Sequence, residues 1–510
     1  MDGDKSSSDD GKDKEIDLNY SYNDALSITG LGKFHYLLLF TCGLCLMSVI
    51  VESLNIGFVL PLIDFECDLK LTLSEKGLLS SSAFAGIVLS SYLWGVLADV
   101  LGRHKIMLWC SSCSFLFSVL SSFSTHTWML IITRFFVGFF ISGLAANTYA
   151  YLGEFHCDKN RARHLNFCGV FMAFALTFCP GLGYIILKLT HESTNFSFII
   201  PLIGIHFSIW RIFLLICSSF SFIITLFLLH LPESPKFLLY QDRHDEALKI
   251  LQNIYKINTG STYFSILKIS IDEQLVNRIQ LGEKNILYLL WSQTSPLFKK
   301  PLLKHTWKLS FIMFSLFAAS SGFYMWVPEI LNHMLDHNGM SVCDVIDTVV
   351  GSKNNTRNVS NSCTSSINVN DTIYSITFFM GVFFSIVYFI NGLIINKFGK
   401  RNLLGLWFFI CGLCSILIPF NNNFYIILLL LLLFLTSGCC GSIASAIIVD
   451  LFPTNIRAIS LTFVLTLGRF GAIVGSLFVS FMIVTSCELM FIIFGLFLIL
   501  SVLISCVIPD

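Results

Sequence analysis

Three ionisable side chains stand inside long apolar segments of the 510-residue chain, namely Glu52, Arg134 and Arg469. A charge in the hydrocarbon core of a membrane is costly unless it faces a cavity or a partner, and such residues commonly bind protons, ions or charged solutes. We therefore expect all three to line a substrate cavity. Two bases and one acid favour an anionic or zwitterionic solute, with Glu52 as a candidate proton carrier.

Each of these residues also has a structural interpretation. Glu52 could be a protonated carboxyl group that is hydrogen-bonded inside the helix bundle, and Arg134 could extend to the outer interface while its stem stays in the apolar layer. Arg469 lies about ten residues into its segment, near the middle of the bilayer, where the interface is hard to reach. It should therefore face a cavity or an acid.

An aromatic stretch from Gly322 to Glu329, interrupted by Pro328, is a further candidate. Aromatic rings beside a helix break can line a substrate cavity. This predicts cavity positions for Tyr324, Trp326 and Glu329. An aromatic belt at the membrane interface is the alternative interpretation.

A short polar hinge occurs twice between apolar segments, about three hundred residues apart, from Gly95 to Lys105 and from Gly392 to Arg401. Each copy is followed, at a similar offset, by an acid that stands seven residues before an arginine. The simplest explanation is an internal repeat, in which the chain consists of two related halves. The residues expected to form contacts at an inner gate are Gly95, Asp99, Gly102, Arg103, Glu154, Arg161, Gly392, Asn396, Gly399, Asp450 and Arg457.

The elements that must position these residues are about twelve predicted membrane-spanning helices. Hydrophobic residues make up 55% of the chain and charged residues only 13%, which excludes an ordinary soluble domain. A span needs about 20 apolar residues to cross a core about 30 Å thick. The predicted fold class is an all-α membrane protein with two pseudo-symmetric six-helix halves and spans near 34–62, 76–98, 105–124, 128–151, 165–187, 209–230, 306–331, 373–396, 402–420, 424–449, 459–484 and 488–508.

The distribution of Lys and Arg predicts the orientation, since basic residues concentrate in short cytoplasmic loops. The basic residues of both hinges fall on one side, whereas the predicted outer loops at 125–127 and 421–423 carry none. Both termini are expected in the cytoplasm, with the protein in the plasma membrane or a vesicle membrane. The predicted divisions are an acidic cytoplasmic tail at 1–32, a first half at 33–230, a central cytoplasmic loop with short helices at 231–305, and a second half at 306–508 that includes an outer loop at 332–372.

The predicted outer loop carries two features of an extracytoplasmic segment. Glycosylation acceptor sequences occur at Asn354, Asn358 and Asn370. Cys343 and Cys363 lie in the same segment, and an oxidising compartment permits a disulfide between them. Most other cysteines lie in apolar spans, where a thiol behaves as a small hydrophobe. We expect no metal site.

Several function classes find no support in the sequence. A phosphate-binding loop of the kind used by ATP-driven pumps is absent, and no nucleophile stands beside a plausible base. We therefore expect neither an enzyme nor a cofactor, and no nucleic-acid partner. The expected partners are the lipid bilayer and a small organic solute, whose transport would be coupled to protons or other ions.

These features resemble the major facilitator superfamily, whose sugar-porter-like members carry a Gly-x-x-x-Asp-x-x-Gly-Arg hinge after the second helix and a weaker copy after the eighth. Within that superfamily the chain is most similar to the synaptic vesicle glycoprotein 2 and related-protein branch, neighbours of organic cation and anion transporters. The resemblance implies a monomeric secondary transporter of an organic ion-like solute, which works by alternating access. The segments that carry the resemblance are 57–61, 94–99, 232–235 and 324–329.

Three departures qualify this resemblance. Val100 stands where the family hinge usually has a base, and Asn396 replaces the acid of the second copy, so any gate network should be stronger in the first half. Val49 stands where the branch commonly has an acid, which weakens the case for a cation site of paired carboxylates. The degenerate second hinge and the glycosylation sequences of the outer loop also fit an alternative function. In this alternative the protein is a receptor or scaffold that retains the transporter fold but does not transport.

Overall fold

Helices form most of what the computed structural model describes, which is residues 19–66, 69, 71–192, 198–200, 205–261, 268–270, 294–336, 339–355, 371–452 and 456–508. A short amphipathic helix precedes six long helices of the first half. Their bounds are α1 Tyr22–Thr29, α2 Lys33–Glu66, α3 Leu73–Leu101, α4 Arg103–Ser122, α5 Thr127–Glu154, α6 Asp158–Glu192 and α7 Ile209–Leu228.

The segment between the halves contains two short helices, α8 Pro235–Tyr240 and α9 His244–Thr259. Short helices were predicted for this loop, whose residues 262–267 and 271–293 lie outside the described residues. Four strands of three residues each form two small pairs. Strand β1 Asn19–Ser21 pairs in parallel with β4 Lys268–Ser270, and β2 Phe198–Ile200 pairs antiparallel with β3 Ile205–Phe207.

The second half contains nine α-helices within the described residues, because two of its six spans are interrupted and α12 is an additional helix outside the spans. A π-helical turn at Ala318–Gly322 and a break before α11 bend one span, and a 3-10 turn at Thr436–Cys439 interrupts another. The helices are α10 Leu302–Phe317, α11 Val327–Asp336, α12 Val342–Asn355, α13 Asp371–Phe398, α14 Lys400–Leu417, α15 Phe424–Leu435, α16 Cys440–Leu451, α17 Arg457–Thr485 and α18 Cys487–Cys506.

The membrane-spanning architecture agrees with the prediction. Among the described residues, eleven helices, counting α15 and α16 together, are long and apolar enough to cross a membrane, and the pair bent by 44° at α10 and α11 supplies a twelfth span. Each predicted segment overlaps one of these spans. The bend falls between a π-helical turn and Pro328, both of which are common causes of helix kinks.

Glycines allow the helices to approach closely in both halves. A Cβ atom added to Gly138 of α5 would lie 2.0 Å from the carbonyl oxygen of Ala83 on α3, and one added to Gly471 of α17 would lie 2.3 Å from that of Phe314 on α10. Such distances are impossible for a real side chain. Small residues at helix crossings are the usual means of tight packing in membranes.

Within the described residues the halves meet mainly along two helix pairs, α3 with α17 and α6 with α13, and α11 also contacts α2. Helices α3 and α17 run antiparallel, since Leu73 lies near Ser480 and Ser91 lies near Arg469. Both hinge turns, at Gly102 and Gly399, therefore lie at one end of the bundle. We call this the hinge end and the other the closed end.

Candidate transport site between the two halves

A fully buried ion pair joins Glu52 of α2 to Arg134 of α5, with Oε2 and the guanidinium nitrogen NH1 2.8 Å apart. Ser118 donates a hydrogen bond to the other carboxylate oxygen at 2.8 Å, and Arg134 donates to Ser121 at 2.6 Å. Asn55 donates to Glu52 at 3.1 Å. The structure thus brings together two residues that the sequence could only mark separately.

This pair lies inside the first half and not between the halves. Its hydrogen-bond partners come from α2 and α4, and neither Glu52 nor Arg134 has exposed side-chain surface. The prediction that these two residues line the cavity is wrong for this conformation, because each charge is neutralised by the other within its own bundle. The alternative in which Arg134 extends to the interface is wrong for the same reason.

A second ion pair crosses the boundary between the halves at the closed end. The ammonium of Lys76, in the first turn of α3, contacts the Glu329 carboxylate at the start of α11. Both residues are buried, and the imidazole Nε2 of His333 lies 3.9 Å from the same carboxylate. Glu329 was predicted to line the cavity but forms a cross-half contact instead. Lys76 was not among the predicted site residues, because a lysine at the edge of an apolar segment is typical of an interfacial anchor.

Hydroxyl contacts reinforce the closed end. The hydroxyl groups of Ser80 on α3 and Ser476 on α17 are 2.5 Å apart, and the indole of Trp326 donates to Ser476 at 3.2 Å. Ser480 donates to the carbonyl of Leu73 at 2.7 Å. Trp326, predicted to line the cavity, is therefore fully buried beside this cross-half contact.

The helix break at 323–326 also packs against the first half. A Cβ atom on Gly57 would lie 2.9 Å from the carbonyl oxygen of Met325, so only glycine permits this approach. The ring of Tyr324 lies 6.2 Å from that of Phe58, and the Tyr374 hydroxyl donates to the Phe58 carbonyl at 3.1 Å. The Tyr324 hydroxyl is buried without a hydrogen-bond partner, which leaves a polar atom available near the boundary.

Arg469 stands farther toward the hinge end, on the same boundary. It donates a hydrogen bond to Ser91 of α3 at 3.0 Å. Within the described residues no acid pairs with it, and its side chain is partly exposed. Of the predicted cavity residues, Arg469 is the one whose placement fits the prediction best.

The first hinge forms an ion-pair cluster. Gly102 adopts a φ of 106°, which favours glycine. Arg103 contacts Glu154 at 3.0 Å and Asp99 at 3.3 Å. The Arg161 guanidinium donates to the Gly153 carbonyl at 3.0 Å. The residues grouped by the repeated spacing therefore meet at one point.

The second hinge repeats this arrangement. Gly399 has a φ of 80°, and Lys400 forms an ion pair with Asp450. Lys400 and Asp450 are the repeat equivalents of Arg103 and Glu154. The side chains of Asn396 and Arg457 lie outside the described part of the structure. The ion pairs of Arg103 and Lys400 each stay within one half, and neither Gly95 nor Gly392 has a neighbouring atom within 4 Å of its Cβ position.

Glu233 supports the first hinge, although it was not among the predicted site residues. Its carboxylate accepts backbone hydrogen bonds from His104 at 2.9 Å and Lys105 at 3.4 Å. An acid at the amino end of a helix is favourable, because it satisfies free N–H groups and interacts with the helix dipole. The Pro-Glu-Ser-Pro segment at 232–235 was a signal in the sequence, but the sequence did not show that Glu233 would contact the start of α4.

A cap of α1, α8 and α9 covers the hinge end of the first half. The Tyr22 hydroxyl donates to the Glu154 carbonyl at 2.7 Å, and burial raises the pKa of this tyrosine well above its usual value. In the adjoining turn, His156 donates from Nδ1 to the Leu152 carbonyl at 2.8 Å and packs 4.3 Å from the His164 ring. Burial lowers the pKa of His156 to about 4.

The outer segment contains a disulfide that differs from the predicted one. Cys343 of α12 is bonded to Cys487 at the start of α18, so the predicted pairing with Cys363 is wrong. Closeness in sequence did not predict the partner, because α12 folds back onto the start of α18. Cys363, Asn358 and Asn370 lie outside the described residues, as does the side chain of Asn354.

The twelve spans, the paired hinges and the charges buried among the helices define a multi-pass integral membrane protein of the transporter type. The family model of the Major Facilitator Superfamily matches residues 39–347 and 360–510. The chain belongs to this superfamily. This membership agrees with the expectation that the protein is not an enzyme.

Curated relatives place the chain near one branch. Synaptic vesicle glycoprotein 2C of Mus musculus is 28% identical over 340 residues, which cover 63% of this chain and 46% of that protein. Synaptic vesicle glycoprotein 2B of Homo sapiens is 27% identical over 340 residues, which cover 63% of this chain and 49% of that protein. The chain therefore spans about half the length of the relatives it matches. The resemblance to this branch is confirmed.

Solved structures support the fold. The partially occluded inward-open conformation of the xylose transporter XylE from E. coli matches with a TM-score of 0.65 and 15% identity, over 94% of this chain and all of that one. The same transporter bound to 6-bromo-6-deoxy-D-glucose matches with a TM-score of 0.57 and 15% identity, over 92% and 94%. The predicted twelve-helix fold class is confirmed.

Proposed function

We propose that this protein is a secondary transporter that moves a small organic ion-like solute by alternating access. The observation that carries the proposal is the ion pair of Lys76 with Glu329, which joins the two halves at the closed end. At the hinge end, the ion pairs of Arg103 and Lys400 stay within their own halves. Such a distribution fits a conformer that opens toward the hinge end, as expected for two rocking halves.

Proton coupling through Glu52 forms part of this proposal. Protonation of Glu52 would remove its attraction to Arg134 and alter the balance between conformers that differ in this contact. A hinge end in the cytoplasm would make the described conformer inward-facing. Both termini would then lie in the cytoplasm, and the glycosylated outer segment would face the exterior or a vesicle lumen. A single chain contains both halves, which supports a monomeric transport unit.

The decisive experiment measures access to both ends of the boundary. Reporter cysteines are introduced by Gly95→Cys near the hinge end and Ser80→Cys at the closed end, each read against its parent chain with an impermeant maleimide. Glu329→Gln should increase labelling at position 80 and decrease it at position 95, because the cross-half ion pair is lost. Glu246→Gln on the exposed face of α9 is the matched control.

Two results are informative. Opposite changes at the two reporters would support alternating access. Unchanged labelling at both reporters would contradict it and favour the receptor or scaffold alternative, in which a single conformer persists.

A further inference from the structure

Arg469 differs from Arg134 and Lys76 in having no acid beside it within the described residues. Arg134 is paired with Glu52 and Lys76 with Glu329. Within the described residues, Arg469 has one hydrogen-bond partner, the neutral Ser91 hydroxyl. An unpaired guanidinium in the middle of a span is costly, so the site lacks a compensating negative charge.

From this we infer that Arg469 binds the carboxylate group of an organic anion that the protein transports. The inference rests on the proposed transport function and gives it a substrate class. The sequence favoured an anionic solute because two bases were expected in the cavity. In the structure Arg134 is neutralised by Glu52, so the inference depends on Arg469 alone.

The hydrogen bonds around Arg469 leave most of its donors available. A guanidinium has five N–H donors in a planar fork, and the described structure uses one of them. The Ser91 hydroxyl donates its own hydrogen to the carbonyl of Ile87, so toward Arg469 it can only accept. The remaining donors match the two oxygens of a carboxylate, which guanidinium groups bind in a bidentate manner.

The position of Arg469 along α17 also fits a binding site. Ser476 and Ser480, which form the closed-end contacts, follow it by about two and three helical turns on the same face. Arg469 therefore lies about 10 Å nearer the hinge end than Ser476. One turn beyond Ser91 on α3 lies Gly95, whose Cβ position has no atom within 4 Å. The guanidinium thus stands where the boundary changes from closed contacts to open space.

The partner of Arg469 gives the bound anion a way to affect conformation. Ser91 belongs to the first half and Arg469 to the second, so their hydrogen bond forms part of the contact between the halves. A carboxylate that pairs with Arg469 would compete with or add to this contact. Such differential binding is what allows a substrate to shift the population of conformers.

The test is thermal unfolding of the purified full chain with a series of monocarboxylates from acetate to naphthoate. Each carboxylate is compared with its primary amide, which has the same shape but no charge. At least one carboxylate should raise the apparent Tm by mass action, and its amide should not. Arg469→Gln should weaken this response at least tenfold in concentration, whereas Arg243→Gln removes one exposed positive charge and should leave it unchanged.

Two further variants protect the result against a folding defect. Arg469→Lys keeps the charge but loses the planar fork, so it should retain a weakened response. Ser91→Ala removes the neutral partner and should retain the full response. The inference is overturned if no carboxylate stabilises the wild-type chain, or if amides and carboxylates stabilise it equally, or if Arg469→Gln responds normally.

The reporters at positions 80 and 95 separate this inference from the proposed function. Reciprocal labelling changes in Glu329→Gln without any carboxylate response would leave alternating access standing and reject the carboxylate site. A carboxylate response that depends on Arg469, together with fixed labelling at both reporters, would keep the binding site and reject transport.

Discussion

The two hinges share a backbone geometry and one ion pair but differ in what surrounds them. Both begin a helix after a glycine with positive φ, and both pair a base with the acid that ends a neighbouring span. The Arg103–Glu154 pair is mostly buried, with side chains 22% and 12% exposed, whereas those of Lys400 and Asp450 are 35% and 59% exposed. The first hinge is therefore the more strongly supported of the two.

The additional support comes from outside the repeat. Glu233 binds the amino end of α4, and Tyr22 of α1 binds the end of α5. The second hinge has a different neighbour, since Arg401 donates to the Cys506 carbonyl near the end of α18 at 2.5 Å. The repeat therefore encodes the turn and the ion pair, while the segments outside it decide how rigidly each hinge is held.

The largest expected difference between the hinges concerns their glycines. A Cβ atom on Gly102 would lie 2.4 Å from the Glu233 carboxylate, whereas one on Gly399 would meet nothing within 4 Å. Both alanine variants incur the cost of positive φ, about 1–2 kcal/mol. Gly102→Ala should additionally displace Glu233, for a total of about 3 kcal/mol. Thermal unfolding of the two variants measures this, and equal losses would contradict the difference in support.

A second expected difference is pH dependence. The unfolded chain binds a proton to His156 near pH 6.5, whereas the folded chain does so only near pH 4. Stability should therefore fall by up to about 3 kcal/mol as the pH drops from about 6.5 to 4, and stay constant above that range with respect to this group. The neighbouring side chains of His35, His164 and Arg161 also disfavour the protonated form of His156.

The second hinge supplies the control for this prediction. Phe452 stands two residues after Asp450, as His156 stands two after Glu154, and it is also buried. His156→Phe should therefore reduce the slope of the pH profile of thermal unfolding between pH 4 and 6.5. An unchanged acid slope in this variant would assign the pH dependence to other groups.

The smallest expected effect concerns Asp99, which is 66% exposed and pairs with Arg103 at 3.3 Å. Asp99→Asn should change stability by less than about 0.5 kcal/mol, because exposed ion pairs contribute little. Asp99 is expected to stabilise the conformer in which the hinge end is closed. Asp99→Asn should therefore shift the population toward the conformer in which the hinge end is open. Increased labelling at Gly95→Cys would show this. Asn396→Asp, the reverse change in the second hinge, should shift labelling the other way.

Much of the architecture could be predicted from the sequence. Apolar segments long enough to cross a bilayer predicted the spans, because a span depends on local composition. The repeated spacing of Glu154 and Asp450 predicted that equivalent acids serve the two hinges. The depth of Arg469 in its span could also be predicted, since depth is a local property; its role in a cavity stays a prediction.

The pairing of charges and cysteines could not be predicted in the same way. Glu52 with Arg134, Lys76 with Glu329, and Cys343 with Cys487 each join residues far apart in the chain. Such pairs depend on which faces of which helices meet, and the apolar pattern within a span does not specify its neighbours.

Composition and spacing by themselves therefore determined a twelve-span protein with two related hinges. The tertiary structure alone decided that Arg134 is neutralised inside the first half, that Glu329 closes one end of the boundary, and that Arg469 remains without an acid within the described residues. Each helix can cross a membrane by itself, because its backbone hydrogen bonds are satisfied within the helix. A buried charge, in contrast, is stabilised only by a partner that packing brings within a few ångströms.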